Sequence, residues 1–209
     1  MRGEGMPARC ALLLRAVNVS GRNRVPMAEL RALLAERTDL TGVSTYIASG
    51  NVLCDLPDGA GGPDGSDGPG GLGAVCAQVR ALIREAFDVD TPVIARTHDE
   101  LVRALAENPF PDAAADRMLH IMFLESEPQA GAVQALQGKL LPGERVALQG
   151  QDLWIDYGTG GAASTKLTRA VLDRALGTAG TARNLLTLRR LVELTGGELE
   201  SGTIGRLPE

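Results

Sequence analysis

Cationic side chains stand at or just before the predicted starts of three helices, and their placement is the clearest chemical signal in this chain. A helix N-terminus already carries positive partial charge, so a cation there costs a few tenths to about 1 kcal/mol unless an anion offsets it. An anion held by backbone N–H groups beside the cation would make each placement favourable. The predicted ligand-binding residues are Arg22, Arg24, Lys166 and Arg183, with Asn184 as a hydrogen-bonding neighbour.

An alternative explains the same cations without a ligand. Each of them would point into water or pair with a carboxylate such as Glu29 or Asp173. Only two of the 21 basic residues are lysines, Lys139 and Lys166, so Lys166 is retained either for its compact ammonium group or by chance. With this alternative left open, the cation pattern predicts a small anionic ligand, phosphate-bearing ligands among them.

Four further polar residues are assigned structural or secondary roles: Arg15, Asn18, Ser49 and Asn51. Apolar residues flank Arg15 on its own strand face, which predicts partial burial and favours a bridge between two parts of the fold over ligand binding. Asn18 lies three positions later, so on a regular strand it faces the opposite side, unless the strand end at Ser20 re-aims it. Asn51 follows the Ser49-Gly50 turn and is predicted to stabilise it.

Hydrophobic periodicity predicts the elements that position these side chains. The first set is strand 9–19, a helix from 26 to near 37, strands 43–48 and 51–56, helix 73–87 and strand 91–96. This βαββαβ order is the ferredoxin-like unit. A connecting helix over 98–107 opens with a capping box at Thr97 and Glu100. The unit then recurs as strand 117–124, helix 129–138, strands 144–149 and 152–157, helix 164–176 and strand 179–183, with a final helix over 185–195.

The predicted fold class is therefore α+β, with two tandem ferredoxin-like halves packed together, plus a C-terminal helix. The halves are predicted to span 8–97 and 98–196. Residues 57–73 are rich in glycine and proline and are predicted to form a flexible insertion. Residues 197–209 are predicted to form a flexible tail.

Composition excludes several functional classes. The net charge of −5 argues against a general nucleic-acid coat protein, and the first and third predicted strands lack the aromatics that an RNA-recognition sheet uses to stack bases. No apolar run approaches the roughly 18 residues of a membrane span. Three cysteines without CxxC spacing and two histidines predict no metal site, no cofactor and a reducing, cytoplasmic location. The first nine residues lack an apolar signal core, and Met6 is as compatible with a start as Met1.

Four ordered motifs resemble those of a bacterial family, the domain of unknown function 1697 family. The first is residues 14–21 (LRAVNVSG), followed by Asn23, residues 25–27 (VPM) and Leu30. The others are residues 45–52 (TYIASGNV), the Ser164, Lys166 and Leu167 group, and residues 181–184 (TARN). The resemblance covers roughly residues 8–196. It implies a tandem ferredoxin-like α+β fold, and it implies no established activity.

The functional hypothesis is a cytoplasmic protein that binds a small anionic ligand between the two halves, whether or not it is also an enzyme. The alternative is a non-catalytic protein–protein interaction or regulatory module, in which the polar motif residues lock the halves together. Neither the reaction nor the oligomeric state follows from the sequence.

Overall fold

The computed structural model describes residues 8–19, 21–57 and 71–196. Ser20, most of the predicted insertion over 57–73 and the predicted tail over 197–209 lie outside the described residues. Within these limits the chain is α+β, with two four-stranded antiparallel sheets and six helices.

The first sheet is built from the segment between residues 9 and 97, called here the first half. Its elements are β1 (Arg9–Leu14), α1 (Met27–Arg37), β2 (Thr41–Tyr46), β3 (Asn51–Asp55), α2 (Leu72–Phe87) and β4 (Val93–Thr97). The strand order is β2-β3-β1-β4, with β1 at the centre and antiparallel to both neighbours. The central position agrees with the continuous apolar character of β1.

The second sheet repeats this arrangement in what is called here the second half. Helix α3 (His98–Ala106) precedes β5 (Leu119–Leu124), α4 (Ala132–Gln137), β6 (Arg145–Gln149), β7 (Asp152–Asp156), α5 (Arg169–Leu176), β8 (Gly180–Asn184) and α6 (Leu185–Gly196). The strand order is β6-β7-β5-β8. The predicted capping box of α3 is confirmed: Thr97 N–H donates to Glu100 Oε2 at 2.7 Å, and Glu100 N–H donates to Thr97 Oγ1 at 3.3 Å.

Each sheet buries both faces. Along β1, Leu12 and Leu14 face the core under α1 and α2, whereas Leu13 faces a central core between the sheets. Along β5, Ile121 faces the central core and Met122 faces the core under α4 and α5. Because successive strand residues point to opposite faces, both strands are mainly apolar, with Arg9 and His120 as the exceptions. Helices α3 and α6 complete the central core, so the two halves share it.

Two predicted boundaries are wrong, and both corrections matter for the site. The first strand ends at Leu14, not residue 19, because Ala16 and Asn18 adopt left-handed φ values of +52° and +54°. Helix α5 starts at Arg169, not residue 164, with the Thr168 hydroxyl accepting from Val171 N–H as its N-cap. Lys166 therefore lies in the loop before α5 and not in its first turn.

Candidate functional site

A cleft of about 340 Å³ lies between the two halves, where the end of β1 meets β8 and the start of α5. The first half contributes Arg15 and Ser49 to its lining, and the second half contributes Arg169, Arg183 and Tyr157. This volume is at the lower end of the range for small-molecule pockets. The cleft is therefore a candidate site to which both halves contribute.

Arg183 is the most deeply buried cation of the cleft, with 7% of its surface exposed. Its Nε donates to Asn51 Oδ1 at 2.5 Å, and its Nη1 donates to Thr181 Oγ1 and to the carbonyl of Ala182. Its Nη2 donates to three first-half carbonyls, those of Leu14, Ser49 and Gly50. Every nitrogen of the guanidinium thus has a protein partner, and four of the acceptors belong to the first half.

All of those acceptors are neutral. Among the described residues no carboxylate lies within salt-bridge distance of Arg183, and burial lowers the pKa of Arg183 to about 10. The group therefore stays charged at neutral pH, and its positive charge has no counter-ion in the described structure. Such a buried charge is unfavourable unless hydrogen bonds or a nearby anion compensate it.

The turn between β2 and β3 packs closely against the end of β1, which brings the acceptors to Arg183. Gly50 has φ +81°, and a Cβ there would lie 2.6 Å from Val17 Cγ2 and 2.7 Å from Leu14 Cβ. Only glycine fits this approach. Asn51 also donates from Nδ2 to the carbonyl of Tyr46, so one carboxamide holds the turn and accepts from Arg183.

Arg15 connects the two halves through a second contact. Its Nη2 donates to both carboxylate oxygens of Asp173 in α5, at 2.5 and 2.7 Å. The Arg15 side chain is 14% exposed and the Asp173 side chain 39% exposed. In the described structure the Nε and Nη1 of Arg15 have no partner, so these donors are open to a ligand.

Arg169 is the first residue of α5 and is exposed. No described carboxylate pairs with it. It is a cation in the first turn of a helix, the unfavourable placement that the sequence pattern assigned to other residues. Its donors are therefore also open to a ligand.

The segment after β1 is held by Asn18. Its Nδ2 donates to the carbonyls of Val25 and Ala48, and its Oδ1 accepts from Val25 N–H. The bond to Ala48 joins the segment to the β2–β3 turn, and the two bonds with Val25 hold the segment itself. All of the polar atoms of the Asn18 side chain contact backbone groups, and Asn18 does not line the cleft.

The predicted site residues are only partly brought together. Arg183, Arg15 and Ser49 line the cleft, whereas Arg22, Arg24 and Lys166 are exposed residues outside its lining. The Arg22 segment is adjacent, because Arg22 N–H donates to the carbonyl of Val19, a lining residue. Asn184 caps α6, with its Oδ1 accepting from Thr187 N–H at 2.9 Å.

Sequence reasoning did not assign three lining residues with polar side chains to the site: Arg169, Tyr157 and Thr181. Choosing Thr168 instead of Ser164 as the N-cap of α5 would have identified Arg169 as a cation in the first turn of that helix. Burial raises the pKa of Tyr157 to about 12, with Glu144 contributing, so this phenol is neutral at physiological pH. It lies edge-on to the ring of His120, with the ring centroids 5.1 Å apart.

A larger cleft of about 490 Å³ lies elsewhere along the boundary between the halves, beside β4 and α2. Its two cations already have carboxylate partners: Arg96 contacts Asp152 at 3.1 Å and Arg80 contacts Asp90 at 2.7 Å. Across residues 8–19, 21–57 and 71–196, no group of three or more His, Cys, Asp or Glu side chains has a metal-binding arrangement. The smaller cleft is therefore the better candidate for a charged ligand.

Comparison with known proteins places the chain in a family. A family model described as a protein of unknown function, DUF1697, matches residues 7–154. The chain belongs to the DUF1697 family. The match ends before the C-terminal motifs at 164–167 and 181–184, whose resemblance to the family stays a prediction.

A solved structure has a similar fold. The structure of the conserved bacterial protein SP0830 from Streptococcus pneumoniae is 20% identical, with a TM-score of 0.68, over 91% of this chain and 99% of that chain. At this identity the likeness supports the fold alone. No curated protein matches the chain. Among the described helices, none combines the length and apolar character that crossing a membrane requires.

Proposed function

We propose that this DUF1697 protein binds a small anionic ligand in the cleft between its two halves. One observation carries the proposal: three guanidinium groups, those of Arg15, Arg169 and Arg183, line a single cleft, and a described carboxylate pairs with only one of them. A low-dielectric cleft lined by uncompensated charge of one sign attracts ligands of the opposite sign. An anion bound there would compensate the buried charge of Arg183.

The three arginines would act differently. The nitrogens of Arg183 are all engaged, so it would contribute charge and not a direct hydrogen bond. Arg169 and the free Nε and Nη1 of Arg15 would donate charge-assisted hydrogen bonds to the ligand. The hydroxyl of Ser49 accepts from Asn51 Nδ2 at 3.3 Å, which leaves its own proton for the ligand.

Arg22, Arg24 and Lys166 are proposed to act outside the cleft. Val19 and Leu167 line the cleft, and these cations stand on the same two segments. Exposed charges in such places raise the rate of association with an anion and are screened by salt. Asn184 is proposed to act indirectly, by capping the helix that follows Arg183.

The finer assignment of the fold is also a proposal. The βαββαβ element order, found twice with equivalent strand orders, supports two ferredoxin-like units. A reducing, cytoplasmic location is proposed from the three cysteines, which have no CxxC spacing. The alternative of a non-catalytic interaction or regulatory module stays a prediction, and large apolar side chains at the described surface are few.

Thermal unfolding with inorganic phosphate and sulfate at millimolar concentration tests the proposal. Both anions are expected to raise the melting temperature, because a ligand that binds only the folded state stabilises it. Arg169→Ala is expected to weaken binding about tenfold or more, the value of a charge-assisted hydrogen bond. Arg174→Ala is the matched control, since Arg174 is exposed on the same helix and does not line the cleft.

Lys166→Ala is a separate arm of this experiment. A role outside the cleft predicts a small loss of affinity that disappears at high salt. An absence of stabilisation by either anion would overturn the proposed function. Equal losses of anion affinity in Arg169→Ala and Arg174→Ala would show that the anion does not bind in this cleft.

A further inference from the structure

The walls of the cleft between its three arginines are mainly apolar. Five large aliphatic or thioether side chains line it: Val17, Val19, Met122, Leu167 and Leu172. The ring of Tyr157 adds a sixth apolar surface. Four of the five are buried in the protein, and Val19 is 50% exposed.

The uncharged polar side chains of the lining are few, namely those of Thr181, Ser49 and Tyr157. Thr181 donates its hydroxyl to the carbonyl of Leu14 and accepts from Arg183. Ser49 accepts from Asn51. A ligand with many hydroxyl groups would find few partners here, and unpaired polar groups in an apolar site reduce affinity. An inorganic anion alone would leave the apolar walls in contact with water.

We infer that the ligand is an amphiphilic organic anion, with one carboxylate or phosphate group and an aliphatic or aromatic body. The inference rests on the proposed function and specifies its ligand class. The anionic group would contact Arg169 and the free donors of Arg15, and the body would lie against the apolar walls. About 340 Å³ corresponds to roughly ten water volumes, so a ligand of about ten heavy atoms fits.

The exposed Val19 supports this assignment. A half-exposed valine at a cleft is a surface that an apolar group would cover with a favourable free-energy change. The backbone before it is in an unfavourable conformation, with left-handed φ values at Ala16 and Asn18, and the three hydrogen bonds of Asn18 hold it there. The carbonyl of Val19 itself accepts from Arg22 N–H. The fold thus fixes an apolar side chain at the edge of the cationic cleft.

Calorimetric titration with hexyl phosphate, inorganic phosphate and 1-hexanol at equal ionic strength tests the inference. Each methylene buried on binding is worth roughly a fourfold gain in affinity. Hexyl phosphate is therefore expected to bind at least tenfold more tightly than phosphate, and more tightly than hexanol. Arg169→Ala is expected to weaken both phosphate compounds.

Val19→Ser is expected to weaken hexyl phosphate several-fold and to leave inorganic phosphate unchanged. Val102→Ser is the control, since Val102 is 40% exposed on α3 and does not line the cleft. Equal affinities for phosphate and hexyl phosphate would overturn the inference and leave the proposed function standing. Hexanol binding as tightly as hexyl phosphate would overturn both, and equal losses in the two valine variants would overturn the inference.

Discussion

The Nε–H of Arg183 in β8 donates to the carboxamide oxygen of Asn51 in β3, 2.5 Å away, across the boundary between the two halves. The same guanidinium donates to the carbonyls that end β1 and form the β2–β3 turn. A residue that the sequence pattern assigned to a ligand is therefore also a structural link between the halves. The contacts that bury the charge of Arg183 are also the contacts that fix its position.

Arg183→Lys is expected to lower the free energy of unfolding by about 2–4 kcal/mol, because an ammonium group cannot reproduce the planar set of donors. Carbonyls of the first half would lose their partner in a buried place. Urea unfolding followed by the fluorescence of Trp154, the single tryptophan and a central-core residue, measures the change. Asn51→Ala is expected to lower the free energy of unfolding by about 1–2 kcal/mol. Arg174→Ala is the control, and a loss of similar size there would contradict the link.

Arg15 and Asp173 are expected to be energetically coupled. A double-mutant cycle with Arg15→Met and Asp173→Asn should give a coupling of about 1 kcal/mol, because the bidentate contact is partly buried but Asp173 is 39% exposed and screened by solvent. Chemical denaturation of the four proteins at low and high salt supplies the cycle. Additive single effects would mean that the ion pair does not join the halves.

His120 is expected to make stability depend on pH. Burial lowers the pKa of its imidazole below 6.5, and the hydrogen bond to the carbonyl of Met118 acts in the opposite direction with a smaller effect. Between the lowered pKa of the folded protein and about 6.5, His120 is protonated in the unfolded state and neutral in the folded state. The free energy of unfolding therefore falls as the pH decreases below about 6.5. His120→Gln should show a smaller loss between pH 7.5 and 5, as measured by urea unfolding at each pH. Parallel pH profiles for the two proteins would contradict this assignment.

Ile47 is expected to be a strained position. It is β-branched and 50% exposed, and its φ is +50° in the turn between β2 and β3. Asparagine adopts this conformation more readily, so Ile47→Asn should raise the free energy of unfolding by about 1 kcal/mol. Val102→Asn on α3 controls for the loss of an exposed apolar side chain. A destabilised Ile47→Asn variant would show that contacts of the isoleucine outweigh the strain.

Features set by short-range chemistry could be predicted from the sequence. The capping box at Thr97 and Glu100 is confirmed, because it depends on neighbours within a few residues. The predicted start of α5 is wrong because Ser164 and Thr168 are both good N-cap residues, and the helix uses Thr168. The hydroxyl of Ser164 instead donates to the carbonyls of Gly160 and Gly161 within the preceding turns.

The composition of the cleft could not be predicted, because its contacts join distant parts of the chain. Arg15 and Asp173 are 158 residues apart, and no spacing rule relates them. The apolar character of residues 9–19 as a whole predicts a strand that continues past Leu14, and nothing in that pattern reveals the left-handed φ of Ala16. Arg183 was predicted to interact with a ligand because it precedes a helix, whereas its position on β8 directs it toward the central core.

The burial of Arg183 also bears on the order in which the protein is completed during synthesis. Its acceptor on Leu14 leaves the ribosome 169 residues earlier, and its acceptor on Asn51 132 residues earlier. At a synthesis rate of about 5–20 residues per second, these acceptors of the first half lack their partner Arg183 for roughly ten seconds. Until β8 emerges, the nascent first half has an incomplete cleft and an uncovered apolar sheet face, and it depends on later residues to close both.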